Sequence, residues 1–301
     1  MPILYYHNVV DEPVDGFDFC RLPAAEFARQ ARYLADHFRP LSLPAFMAEL
    51  GAEGPDPRAL VMTFDDAYQG VFEHAFPVLE ALGIPATVFI VTDTLRRGGE
   101  TLLHHDEIEV ALRITQCESL RFELAEGGES LPLTTFDERL EALRQVKRKL
   151  KILPEAERAR WHRRILARLQ TPPPACRAAA RGMSKLRFMT RSQLRTLRDS
   201  GWTLGSHTRS HRTVSRLEEE DLRREIHGSL ADLERELGLA EIPFAYPYGL
   251  PEHIGTRAPR MVAEAGYTCA LTATAPAEES WDLFQLPRMD FETLRQRSGG
   301  R

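Results

Sequence analysis

Short, unbroken apolar runs recur along the chain with helical patterns between them, and this rhythm limits what it can fold into. The runs are "ILYY" at 3–6, "ALVMTF" at 59–64, "ATVFIV" at 86–91, "WTLGS" at 202–206, "PFAYP" at 243–247 and "CALTA" at 269–273. Unbroken rather than alternating, they suit parallel strands covered on both faces. Between them, "AAEFARQARYLADHF" sets Phe27, Ala31, Leu34 and Phe38 on one stripe. The patterns "VFEHAFPVLEALG", "SQLRTLRDSG" and "EEEDLRREIHGSLADLERELG" end at Gly83, Gly201 and Gly238, where a left-handed C-cap is expected. Strand and helix alternation predicts an α/β fold built on a parallel sheet or barrel. At 301 residues and 43% hydrophobic, the chain is long enough to bury the core such a fold needs.

Residues 93–189 break the rhythm and are too long for a simple crossover. We expect one domain over 1–301 with this segment inserted. "SLRFELAEGGESLPL" reads as a hairpin turning at Gly127-Gly128. The stretch 138–169 reads as two strongly basic helices split at Pro154, and "TPPPACRAAARG" as a flexible linker. The basic pair is either a solvated face or a surface over 139–169 for an anionic membrane or a phosphorylated glycan. A net charge of -5 argues against nucleic-acid binding. Cys20, Cys117, Cys176 and Cys269 are scattered, which suggests reduced thiols rather than a disulfide framework. "MPILYYHNVV" lacks the basic and apolar regions of a signal peptide, and no run approaches the roughly 20 residues of a membrane span. The expected location is the cytoplasm, with a peripheral place at the inner membrane face open. The residues leave the oligomeric state open.

The second strand-like run ends in "FDD", Asp65 and Asp66. A carboxylate pair at the end of a buried strand needs a cation, a proton or an ion pair. The bland alternative is an N-cap doublet opening a helix from Ala67 to Leu82. Farther on, "LGSHTRSH" follows another strand-like run and spaces His207 and His211 four apart. On a helical turn that spacing puts both imidazoles on one face, where they can reach one ion. Two histidines and one carboxylate leave coordination positions open, the pattern of a catalytic site. Strand C-terminal ends are where α/β folds build such sites. One aspartate would bind the ion and the other act as base toward water.

These residues resemble the polysaccharide deacetylases, also called NodB-homology or carbohydrate esterase family 4 enzymes. "TFDDAY", "GSHTRSH" and "FAYPYG" are similar to that family's first three motifs, and "GIPATVFIV" and "AGYTCALT" to its flanking segments. "PILYYHNV", with Phe27, Gln30 and Leu34, resembles the branch whose first strand carries YHxV. The resemblance covers most of the chain outside the insertion. It implies a distorted (β/α) barrel of about seven parallel strands and metal-dependent removal of acetyl from an N-acetylated glycan or a lipid-linked sugar. It assigns Asp65 as base and Asp66, His207 and His211 as ligands of a divalent metal. Zinc is the expected ion, with Co2+, Ni2+ and Fe2+ as alternatives. The Tyr248 backbone N–H would stabilise the oxyanion, with Pro247 and Gly249 shaping the turn.

The chain departs from the family pattern in three places. No histidine follows His253, so the general acid falls to His7 at the end of the first run, with a buried core histidine as the alternative. The third motif lacks its arginine, and Arg288 in "FQLPRM" is the substitute expected to pair with Asp65, or else a surface residue. Ala67 stands where the family has glycine, which matters only if that position needs positive φ. A catalytically silent glycan-binding protein and a hydrolase of non-sugar amides are the competing readings.

Overall fold

The computed structural model describes residues 2–52, 56–97, 101–122, 129–275 and 281–297. Six parallel strands form its centre: β1 Ile3–Tyr6, β2 Ala59–Phe64, β3 Ala86–Ile90, β4 Thr203–Ser206, β5 Phe244–Ala245 and β6 Ala270–Leu271. They lie side by side in chain order, and Arg39–Pro40 adds a short parallel pairing to β2. The sheet curls until Leu286–Met289 spans its two edges. Leu286 N–H donates to Ala270 O at 2.8 Å on one side, and Tyr5 N–H to Met289 O at 3.1 Å on the other. The result is the distorted (β/α) barrel that the family resemblance implies, with six central strands and the short Arg39–Pro40 pairing where about seven strands were expected. The two strands drawn as "PFAYP" and "CALTA" shrink to two residues each.

Every residue of β2 and β3 is buried, because both faces are covered. Along a strand the side chains alternate between faces. Leu4, Leu60, Met62, Phe64, Val88 and Phe244 join the cluster under the helices. Ile3, Val61, Phe89, Ala245 and Leu271 join a second cluster that fills the barrel. The inward set of β2 is therefore Ala59, Val61 and Thr63, and the next residue in that set is Asp65. The inward set of β1 is Ile3 and Tyr5, followed by His7. Gly205 of β4 is glycine because a Cβ there would lie 2.6 Å from the Phe89 ring.

The surrounding helices form much as expected. α1 (Ala24–His37) buries Phe27, Ala31 and Leu34, while Phe38 caps it. In the next helix Val71–Ala75 winds as a wider π turn, and α2 (Phe76–Leu82) follows, ending at Gly83 in the left-handed conformation. Pro77 lies at its first turn; lacking an N–H, it cannot carry the regular ladder across the junction.

The insertion has its own apolar core. α3 (His104–Ile114), an antiparallel pair Ser119–Phe122 and Glu129–Pro132, α4 (Phe136–Lys151) and α5 (Glu155–Arg168) follow in order. The turn expected at Gly127-Gly128 lies outside the described residues. Ile108, Leu112, Leu143, Val146 and Ile165 pack together, apart from the barrel clusters. "TPPPACRAAARG" is not a linker: Pro173–Ala180 is a helix that buries Cys176 and Ala180 against this core. Proline is tolerated in a first helical turn, and the following alanines favour helix, so the composition misled. The chain then returns through α6 (Arg191–Asp199), α7 (Glu219–Leu237) and α8 (Arg257–Ala265). The four cysteines are free, and no described helix is long and apolar enough to cross a membrane.

Candidate active site

Parallel register brings the motif residues to one end of the barrel. Tyr6 lies opposite Phe64, and Asp65 N–H donates to Tyr6 O at 2.9 Å, so His7 and Asp65 leave adjacent strands side by side. His207 follows β4, with its N–H on Ile90 O at 2.8 Å. Tyr248 follows β5. Once past the strands, the backbone turns sharply. Asp66, Ala67, Thr208, His211 and Tyr248 all have φ between 58° and 69°. Non-glycine residues in this region cost about 1–2 kcal/mol each and cluster at functional sites. Gly249 shares that conformation (φ 63°), and a Cβ there would lie 2.4 Å from the Ala273 nitrogen.

Two local expectations change. The aspartates are not an N-cap: the helical backbone begins at Gln69, and its π turn at Val71. His207 and His211 are not on a helix either. Residues 208–210 form a turn, His211 N–H donates to Thr208 Oγ1 at 3.0 Å, and the two rings lie 5.0 Å apart, edge to face. Buried Glu225 of α7 holds this turn, taking the Arg209 and Ser210 N–H groups at 3.0 and 2.8 Å. The question raised by Ala67 is also answered. Its φ is 59°, so the position does require the left-handed region, and alanine occupies it, buried at 2% exposure.

Asp66 Oδ1 lies 3.3 Å from His211 Nε2 and 3.8 Å from His207 Nε2. Donor atoms of the three residues fall within 4.8 Å of one another, all buried. Asp66 Oδ1 has no hydrogen-bond partner, an expensive condition for a buried carboxylate. His207 Nδ1–H donates to Ala245 O at 2.8 Å, which fixes the tautomer and leaves Nε2 as a lone pair facing the cluster. Burial, then the neighbouring Asp65 and Asp106 charges, push the Asp66 carboxyl well above the usual range. Burial holds both histidines below their ordinary value and so neutral. A divalent cation would resolve all of this at once. Two neutral imidazoles and a carboxylate are a donor set for zinc and its neighbours.

Asp65 has the opposite environment. Arg288 grips it with both ends, Nη1 to Oδ1 at 2.8 Å and Nη2 to Oδ2 at 2.9 Å. Arg288 is 1% exposed, and it also donates to Thr63 Oγ1 at 2.9 Å and Thr272 O at 2.8 Å. It is not a surface arginine; the barrel-closing segment delivers it to the interior. Burial acts to raise the Asp65 carboxyl, but Arg288 and His207 outweigh it and hold it well below the usual range. Asp65 Oδ2 lies 4.0 Å from His207 Nε2, beside the candidate ion position. His7 shares this mouth. Burial pulls it down to about 4, against the attraction of Asp65.

The other wall comes from the insertion, through residues 104–109 that the sequence does not mark as part of the site. His104 Nε2 lies 2.9 Å from the Tyr248 hydroxyl. His105 stacks edge-on to His211, with ring centres 5.0 Å apart. Tyr68 O–H donates to Asp106 Oδ2 at 2.7 Å, and Arg21 binds Glu109 at 2.9 Å and Asp106 at 3.5 Å. The signal was "LLHHDEIE", a histidine pair at a helix start, but nothing local ties it to His211 and Tyr248, which lie more than 100 residues later in the chain. His104, His105 and His211 also bring donor atoms within 4.8 Å. With His104 Nε2 taken by Tyr248, that trio is a wall rather than a second open centre.

Comparison with known proteins agrees with this architecture. The family model "Polysaccharide deacetylase" matches residues 52–120 and 176–270. YxkH of Bacillus subtilis (strain 168) is 29% identical over 93 residues, 30% of this chain and 32% of YxkH. The poly-beta-1,6-N-acetyl-D-glucosamine N-deacetylase of Escherichia coli (strain K12) is 32% identical over 83 residues, 27% of this chain and 12% of that protein. The matched segments thus span about a third or less of these relatives. Among solved structures, the Streptococcus pyogenes deacetylase PplD in complex with acetate superposes with TM-score 0.61 at 16% identity, covering 98% of this chain and 96% of that one. A de-N-acetylase from Aggregatibacter actinomycetemcomitans gives 0.62 at 16%, covering 98% of both. At such identities the structures establish the fold.

Proposed function

The chain belongs to the polysaccharide deacetylase family, and from that membership and the mouth of its barrel we propose that it is a metal-dependent hydrolase of the N-acetyl group of an N-acetylated sugar. The observation that carries the reading is the orphaned Asp66 Oδ1 facing His207 Nε2 and His211 Nε2 beside a carboxylate already neutralised by Arg288.

Asp66, His207 and His211 would hold the ion. When bound, a divalent cation supplies a Lewis acid and brings the pKa of water toward about 7. Asp65 is the base that takes the proton from the attacking water. Its pairing with Arg288 makes it a weak base but fixes its direction, and its oxygens cannot rotate away from the mouth. Tyr248 N–H makes no hydrogen bond within the described residues, so it is available to a developing oxyanion. His7 is neutral at rest and becomes a donor to the leaving amine only after taking a proton within the site. The C–N bond then breaks to acetate and a free amine. The Escherichia coli relative is named for poly-N-acetylglucosamine, which favours an N-acetylglucosamine unit here.

The test is acetate release from N-acetylated oligosaccharides. Chelation should abolish it and added zinc restore it. Asp65→Asn should lower kcat by about 10²–10⁴ with metal content unchanged. Loss of metal from that variant would exchange the two aspartate roles. His7→Ala should lower kcat and leave metal content intact; a wild-type rate would remove His7 from the mechanism.

A further inference from the structure

The insertion helices are basic, but their charges do not all face outward. Arg139 is spent on the carbonyls of Leu133, Leu112 and Arg113, and Arg144 pairs with Glu141. Lys147, Lys151 and Arg158 instead line a pocket with His104, His105 and Tyr248. Lys151 Nζ sits 4.5 Å above the Tyr248 ring, and that ring packs 5.0 Å from His211, so this lysine is two contacts from the candidate metal centre. Lys147 lies one helical turn away on the same face, 5.1 Å over the Phe19 ring.

Three features of this wall ask for an anion. Neither lysine has an ion-pair partner among the described residues. A like-charged pair at i,i+4 is unfavourable on a helix, yet both face inward rather than into solvent. Arg158 uses Nε and Nη2 on Glu155 at 2.7 Å each, but its Nη1 is buried without a partner. Burial, with Lys147 adding repulsion, lowers the Lys151 ammonium against the pull of the neighbouring Cys20 sulfur. The pocket encloses about 20 Å³, too little for a sugar ring. What fits such a pocket is a small charged substituent of a sugar rather than its ring.

Resting on the deacetylase reading, we propose that Lys147, Lys151 and Arg158 form an anion subsite that binds a phosphate carried by the N-acetylated sugar. Lysine ammonium groups and a free guanidinium N–H are suited to phosphate oxygens. The subsite makes the enzyme prefer a phosphorylated sugar over a neutral one.

The experiment compares acetate release by the metal-loaded protein from N,N'-diacetylchitobiose and from N-acetylglucosamine 1-phosphate. A third arm uses the same sugar phosphate joined to a prenyl chain in micelles. Lys151→Glu and Lys147→Glu should shift the ratio of kcat/KM between phosphorylated and neutral sugar by at least tenfold. KM should carry the change, and Lys→Arg variants should restore it. Equal lysine dependence in the soluble and prenyl arms identifies the phosphate as the recognised group; dependence in the prenyl arm alone overturns the subsite in favour of a membrane surface. A ratio unchanged within twofold also overturns it. Calorimetric titration with N-acetylglucosamine 1-phosphate reads binding without turnover. Lysine-dependent binding with no acetate from any sugar would sink the deacetylase reading and leave the subsite standing. Acetate release with lysine-independent binding would do the reverse.

Discussion

The barrel mouth and the insertion leaning over it hold their polar side chains by opposite means. At the mouth, register and strained turns fix each group, and almost every polar atom has an assigned partner: Asp65 has Arg288, and His207 has the Ala245 carbonyl. Asp66 Oδ1 and His211 Nδ1 are exceptions, and Asp66 Oδ1 is where the proposed cation would sit. In the insertion the backbone is regular helix, and the inward cations Lys147 and Lys151 are left to aromatic faces. A rigid mouth suits chemistry, which needs reacting groups held to fractions of an ångström. A helical wall with free cations suits selection among substrates, which needs charge more than fixed geometry. The comparison breaks if mouth residues turn out to be replaceable.

The largest effect should come from Asp66→Ala. It removes the only carboxylate of the trio, so metal binding should be lost and acetate release should fall to background. Elemental analysis that still found one equivalent of metal would place the ion elsewhere. Next is Arg288→Gln. Leaving a buried carboxylate without its partner destabilises by about 3–5 kcal/mol, measured as a shift in the denaturation midpoint. The sign follows from the depressed Asp65 value. A carboxyl held below its unfolded value adds stability above roughly pH 4 and loses it as pH falls toward the folded value. The variant should therefore lose most near neutrality and little in strong acid.

Much of the mouth was legible in the sequence because its chemistry is local. "FDD", "HTRSH" and "YPYG" each follow a strand-like run, whereas the inward face of Asp65 is not legible in the apolar run "ALVMTF" and comes from the packing of Val61 inside the barrel. The pairing of Asp65 with Arg288 was stated as an expectation, but its geometry depends on barrel closure by Leu286–Met289, which no single segment encodes. The sequence leaves the insertion's basic pair as either a solvated face or an anion-binding surface, because its helices are amphipathic and basic in the manner of any solvated helix. Only packing of α3 and α4 across the mouth shows which of those charges face it. The misread linker at Pro173–Ala180 has the same origin: its cover comes from elsewhere in the insertion.

A smaller effect is the pH dependence of metal affinity. The trio's histidines are held neutral, so they are ready ligands, while Asp66 is pulled toward its protonated form. Protons therefore compete with the metal at Asp66. Affinity should weaken as pH falls, by up to about tenfold per unit once Asp66 is protonated. Zinc titration across pH 6–8 would measure this. A flat profile would mean that Asp66 stays ionised without the metal, and that a partner other than the ion balances it.

The smallest expected effect concerns Ala67, where the sequence departs from the family's glycine. Its φ of 59° costs an L-residue about 1–2 kcal/mol, which glycine would relieve. The same substitution deletes a methyl buried in the main cluster, worth about 0.8 kcal/mol. It also loosens the unfolded chain, a penalty of about 0.5–1 kcal/mol. These terms nearly cancel, so Ala67→Gly should lie within about 1 kcal/mol of wild type by denaturant unfolding and keep its metal. Ala67→Val should not. A β-branched side chain at positive φ is a true outlier, and it sits beside Asp66, which shares that left-handed turn. If valine were tolerated as well as glycine, the mouth would be no more rigid than the insertion that covers it.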